Sequence, residues 1–180
     1  FFTLLCAIIS LTGVAIRAMT VGYLPRKTED EVTSGVKSTE LITQGMYSIV
    51  RHPIALGNLL AWYGIILYVG VSWFIIGAIL LYTLFTYQIL LCEEEELAKR
   101  FGDRYSLWAS YTNALIPNRK LWIRSRDKFS LMQVLRREYI GFFFLVLTFV
   151  TINLLRNRVI EFTWSLSPLW TVVGGATLLF

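Results

Sequence analysis

Charge is what this sequence has least of: only 16% of its 180 residues are Asp, Glu, Lys or Arg. A soluble domain carries nearer a quarter. Together with 56% hydrophobic residues and a mean hydropathy of +0.59, the shortage excludes a disordered chain and a soluble globular domain. Histidine occurs once and cysteine twice, which leaves no metal-ligand pattern and no disulfide framework. Cys6 lies near the start of the first apolar stretch and Cys92 at the end of the third, so the two are expected at opposite ends of the protein. Internal repeats and low-complexity tracts are missing too, as is any strand-glycine-helix unit of the dinucleotide-binding kind. The chain opens on Phe1 instead of Met, so further residues are expected upstream. Its first segment has neither the charged start nor the small-residue cleavage site of a signal peptide.

What is abundant fits a bilayer. The longest uncharged run, 54–92, is 39 residues. As one helix it would reach about 58 Å, roughly twice the hydrocarbon thickness. It must fold back, and Val69-Gly70-Val71-Ser72-Trp73 supplies small residues for the turn and an interfacial aromatic. Residues 1–22 form an earlier span, and 139–155 and 162–180 two later ones. The expected architecture is all-α: a polytopic helical membrane protein with about five transmembrane helices. Arg17, near the end of the first span, is expected to snorkel to the interface.

Ten Lys or Arg lie between Glu93 and Glu138, and Arg26, Lys27, Lys37 and Arg51 lie in 23–53, whereas the turn around Gly70 has none. The positive-inside rule then puts both polar segments in the cytoplasm and explains the net charge of +5 without a nucleic-acid partner. The expected organisation is a span (1–22), a cytoplasmic connection (23–53), a helical hairpin with the residues that carry chemistry (54–117), a basic linker (118–138) and two final spans (139–180).

The hairpin returns Arg51-His52-Pro53 and Glu93-Glu94-Glu95-Glu96 to one interface. Pro53 suits the first turn of a helix, with His52 at the N-cap and Arg51 just outside. By itself the tripeptide reads first as a basic residue and a capping imidazole at a membrane boundary. Its functional alternative is an anion site where two basic side chains meet a helix N-terminus. The third span is expected to continue past its glutamates to a stop at Gly102. On that extension Glu95 meets Lys99 and Glu96 meets Arg100, a solvated face of little functional meaning. Glu93 and Glu94 have no basic partner on their own helix and lie nearest the lipid, so they need donors from elsewhere. Beyond Gly102, Tyr105-x-x-Trp108-x-x-Tyr111 predicts an amphipathic helix on the membrane surface, or else an aromatic wall over a bound cation or base.

Taken in order, Gly45-Met46-Tyr47-Ser48-Ile49-Val50-Arg51-His52-Pro53-x-x-x-Gly57, a hairpin, Glu93-Glu94-x-x-Leu97-x-x-x-Phe101-Gly102-x-x-Tyr105 and Ile116-Pro117 resemble the membrane methyltransferases. That group includes the isoprenylcysteine carboxyl methyltransferases and the phospholipid methyltransferases; with Thr33-Ser34-Gly35 the likeness is closest to bacterial members of the former branch. The resemblance covers 33–117. It implies a cytoplasmic-side pocket for S-adenosylmethionine lined by Arg51, His52, Pro53, Gly57, Glu93, Glu94 and Tyr105, with Gly57 permitting close helix approach. It also implies a lipid or lipidated methyl acceptor and a location in the bacterial inner membrane; with one His and two widely separated Cys, no metal is expected. One position departs: the family has Tyr two residues after the Pro, where this chain has Ala55, so Trp62, Tyr63 or Tyr111 must replace the ring or the site is weakened. A catalytically silent homologue serving as a structural subunit of a membrane complex, or an NADPH-dependent membrane reductase, is the alternative.

Overall fold

The computed structural model describes residues 1–24, 40–161, 171–172 and 174–176. Among these it is helical, with no strand: α1 (Phe2–Gly22), α2 (Met46–Ile49), α3 (Pro53–Val69), α4 (Ser72–Phe101), α5 (Asp103–Tyr111), a 3-10 turn (Arg119–Leu121) and α6 (Leu131–Glu161). Among the described residues, three helices are long and apolar enough to cross a bilayer: Phe2–Gly22, Ser72–Phe101 and Leu131–Arg158. Helix α3 is shorter, 17 residues or about 25 Å. The expected span at 162–180 lies almost wholly outside the described residues, as does Thr33-Ser34-Gly35.

The long uncharged run does fold back. Gly70, at φ 79°, takes the left-handed conformation that ends α3, and α4 starts two residues later. Helix α4 then runs 30 residues through all four glutamates before Gly102, at φ 53°, stops it.

Helix α3 is the centre of the bundle. Its contact with α1 is made by small residues, because in lipid helices associate by close packing instead of by hydrophobic exclusion. Cys6, Ser10, Gly13 and Arg17 of α1 face Gly64, Ala61 and Gly57 of α3 along an antiparallel seam. A Cβ added at Gly13 would lie 2.4 Å from the Gly57 carbonyl oxygen, and one at Gly64 would lie 2.5 Å from that of Cys6. Ser10 Oγ donates to the Ala61 carbonyl at 2.8 Å across the same seam. Above it, Cys6, Ile65, Tyr68, Leu145 and Phe149 close a core between α1, α3 and α6, with Asn153 Nδ2 donating to the Tyr68 hydroxyl at 3.0 Å. Helix α4 touches α3 along one edge, through the Trp62–Tyr82 ring pair and a Tyr63–Thr83 hydroxyl contact of 2.6 Å. Its Ile76, Leu80, Leu81, Leu84 and Phe85 are exposed, as lipid-facing residues should be.

Two expectations are corrected here. Arg17 does not snorkel outward. Its Nε and Nη2 each donate to a Glu138 carboxylate oxygen at 2.8 Å, and Nη1 donates to Asn58 Oδ1. Glu138 is buried, and its carboxylate holds the guanidinium through two charge-assisted hydrogen bonds. The second correction is the start of the helix that follows the basic linker. Helix α6 begins at Leu131, so Arg136, Arg137 and Glu138 belong to its first turns and the linker ends at Ser130. Ser130 N donates to the Gly22 carbonyl at 2.9 Å, which holds the end of α1 level with the start of α6.

The seam gives a direct test. Gly13→Ala forces backbone apart and is expected to cost about 1–3 kcal/mol. Gly77→Ala, where an added Cβ meets nothing within 4 Å, is expected to be neutral or slightly stabilising. Thermal unfolding of both variants in detergent checks the contrast.

Candidate functional site

Two chain segments meet where the hairpin closes. On one side, Pro53 opens α3 and leaves His52 at the N-cap position and Arg51 before it. The loop after α5 fixes their backbone: Arg51 N donates to the Asn113 carbonyl at 2.8 Å and His52 N to that of Ala114 at 3.1 Å. On the other side, α4 presents Glu93 and Glu94.

The His52 imidazole makes no capping hydrogen bond. It reaches across to α4 instead, with Nε2 3.0 Å from Glu94 Oε1 and Nδ1 3.3 Å from Glu93 Oε2. Arg51 Nη1 lies 2.9 Å from the same Glu94 oxygen. The helix start expected to attract an anion therefore has the chain's own carboxylates beside it. The donors that Glu93 and Glu94 lacked on their own helix are Arg51 and His52. His52 is buried and Glu94 largely covered, while Glu93 is 57% exposed. Glu94 is thus the joint of the cluster, and Glu93 faces outward. Glu95 behaves as a solvated residue, 3.9 Å from Lys99 with both side chains exposed.

Helix α5 adds the aromatic part. Tyr105 and Trp108 are buried, with rings in edge contact at 5.8 Å, whereas Tyr111 is exposed. Arg51 Nη1 donates to the Tyr105 hydroxyl at 3.4 Å. Burial pushes the Tyr105 hydroxyl above its ordinary pKa, and the Arg51 hydrogen bond partly offsets this. The Tyr47 hydroxyl is pushed up to about 12, first by burial and then by the Glu93 charge, with Arg137 opposing. Tyr47 thus sits within the field of both the cluster and α6.

Three buried polar atoms in this neighbourhood have no hydrogen-bond partner: Arg51 Nε, Trp108 Nε1 and Thr112 Oγ1. Leaving a buried donor unsatisfied costs about 1–3 kcal/mol. Donors kept in that state beside two carboxylates suit a ligand that carries both acceptors and a cation or hydroxyl groups. Trp108 and Thr112 are not among the residues expected to line the pocket. Trp108 was legible only as one of three aromatics at helical spacing, and nothing in the sequence marked Thr112.

Gly57 does not touch this cluster. Its open face is filled by Gly13 and Arg17 of α1, so it is a helix-contact glycine. Ala55 is half-buried. Trp62 and Tyr63, the rings considered as replacements there, lie about 10 Å further along α3 and engage α4. The aromatics at the cluster are Tyr105 and Trp108.

Against this geometry, the family model for phospholipid methyltransferases matches residues 3–104. The chain belongs to the phospholipid methyltransferase family. The match takes in α1, α3, the hairpin turn and all four glutamates, and ends just before Tyr105. No curated protein and no solved structure matches the chain. Membership implies a membrane methyltransferase, and methyltransferases of this family generally use S-adenosylmethionine.

The raised Tyr47 hydroxyl has a pH consequence with a definite sign. An acid whose folded pKa exceeds its unfolded value of about 10 leaves stability intact below pH 10 and removes it as pH climbs towards 12. The stability difference between wild type and Tyr47→Phe is expected to be constant up to pH 10. Above that it should shift in favour of the variant, as read by thermal unfolding from pH 8 to pH 11.5.

Proposed function

We propose that the cluster of Arg51, His52, Glu93, Glu94 and Tyr105 binds S-adenosylmethionine, and that the chain transfers a methyl group to a lipid or lipidated acceptor at the cytoplasmic side of a bacterial inner membrane. The observation that carries this reading is the convergence of both halves of the cluster, 42 residues apart, beside three buried donors without partners. Membership of the family supports the reaction class.

When bound, the cofactor supplies a methyl group already activated on a sulfonium. The chain's own residues then have three tasks. Glu94, held by Arg51 and His52, and the more exposed Glu93 accept hydrogen bonds from hydroxyl or ammonium groups. Arg51 Nε, Trp108 Nε1 and Thr112 Oγ1 donate to a carboxylate. The Tyr105 and Trp108 rings exclude water and offer a face to a cation. Alignment of donor and nucleophile supplies much of the rate in such a displacement, and an oxygen nucleophile already ionised needs no general base. Pro53 shapes the backbone beneath the cluster, and Gly57 seats α3 on α1 so that His52 reaches α4.

Glu94→Gln is expected to weaken binding of S-adenosylhomocysteine about 10-fold to 100-fold, the scale of losing hydrogen bonds to a charged group. Glu93→Gln should have a smaller effect in the same direction. Glu95→Gln should stay within about twofold, because exposed i,i+4 pairs contribute only about 0.3–0.5 kcal/mol. Titration calorimetry on the purified protein reads all three, and equal effects at Glu94 and Glu95 would remove the assignment.

A further inference from the structure

Away from the methyltransferase cluster, a cavity of about 600 Å³ opens between the end of α1 and the segment leading into α6. Tyr23, Trp122 and Phe129 form its aromatic walls, and Arg124, Arg126 and Lys128 line it with positive charge. Among the described residues, Asp127 is the one acid in the wall. We propose that this cavity is a headgroup site for an anionic membrane phospholipid.

Height is the first argument. The cavity lies where one apolar spanning helix ends and another begins, and the two ends are fastened together. Ser130 N donates to the Gly22 carbonyl at 2.9 Å, and Gln133 Nε2 donates to that of Leu24 at 3.3 Å. The Phe129 ring packs so tightly on Gly22 that an added Cβ would lie 2.2 Å from it, and its edge meets Tyr23 at 5.3 Å. A pocket held at the ends of spanning helices is level with lipid headgroups. The half-exposed rings of Trp122 and Phe129 suit the boundary between glycerol and acyl chain.

Charge is the second argument. Three cations against one acid attract a phosphate and repel an ammonium, so a lipid with net negative charge is favoured over a zwitterionic one. Shape is the third. The chain between Trp122 and Arg124 is anchored to the neighbouring loop, since Ile123 N donates to Ser48 Oγ at 2.9 Å and Gly45 N to the Ile123 carbonyl at 2.9 Å. The cavity's volume falls in the range of sites for small molecules, about 300–1,000 Å³. A basic linker that only obeys the positive-inside rule needs neither a cavity nor aromatic walls. None of the lining residues belongs to the Arg51–Glu94 cluster, so the site stands independently of the methyl-transfer reading.

Native mass spectrometry of the full chain, released from micelles containing phosphatidylglycerol or phosphatidylcholine, counts retained lipid and tests this. Wild type is expected to hold one phosphatidylglycerol at least about tenfold more tightly than phosphatidylcholine, on the scale of electrostatic attraction between a few basic residues and anionic lipid. The combined Arg124→Gln, Arg126→Gln and Lys128→Gln variant should lose that preference. Each single variant should weaken it about fivefold, which keeps the test decisive if the combined variant misfolds. A control with the same charge change elsewhere, Arg104→Gln, Arg119→Gln and Lys120→Gln, should retain the preference. Equal loss in the control would reduce the effect to general surface charge and overturn the site. Absence of any preference in wild type would overturn it too. Full displacement of the lipid by millimolar inorganic phosphate or glycerol phosphate would show a soluble phosphate ligand and contradict the lipid assignment.

Discussion

Bilayer thickness sets the arrangement on which the rest of the structure depends. A 39-residue uncharged run cannot cross about 30 Å of hydrocarbon once, so it returns, and Gly70 is the hinge of that return. The return brings Arg51-His52 against Glu93-Glu94. Carboxylates at the edge of the apolar phase need partners, and cations at the start of α3 need them equally. Each half of the cluster is the other's reason to be there.

Packing then fixes the hairpin's height and rotation. Helix α1 approaches α3 closely because Gly13, Ala61, Gly57 and Gly64 put little side chain between the backbones. Arg17, Asn58 and Glu138 continue that seam into α6, so a partly buried ion pair couples a helix inside the family match to one beyond it. Within the apolar region helix α4 meets α3 along one edge, through a ring pair and a hydroxyl contact, and the Arg51-His52 ion pairs hold its far end. The glutamates sit on the least enclosed helix of the bundle.

Local and periodic signals were legible in the sequence. The uncharged run predicts the hairpin, small residues predict the turn, and Gly102 predicts the stop. Counting i,i+4 partners separates Glu93 and Glu94 from Glu95 and Glu96, and the structure shows Arg51 and His52 as the partners that counting left unnamed. Long-range pairings were not legible. Glu138 lies 121 residues from Arg17, and without that contact the interface was the natural home for the guanidinium. The same charged residues hid the start of α6, because a run containing Arg136, Arg137 and Glu138 reads as linker until a partner is seen to bury the acid. Tyr105 and Trp108 turn inward because the loop after α5 pairs with Arg51 and His52, a contact no helical period encodes.

The central claim is that the hairpin closes Arg51-His52 onto Glu93-Glu94 in the membrane-embedded protein. Cysteine pairs introduced by Arg51→Cys and Glu94→Cys, with Cys6 and Cys92 replaced by Ser, measure it directly in native membranes with a short bifunctional thiol reagent. Efficient intramolecular cross-linking of this pair, together with none between Arg51→Cys and Gly70→Cys at the opposite end of α3, is the predicted result. No cross-link at 51–94, or one at 51–70, would contradict it.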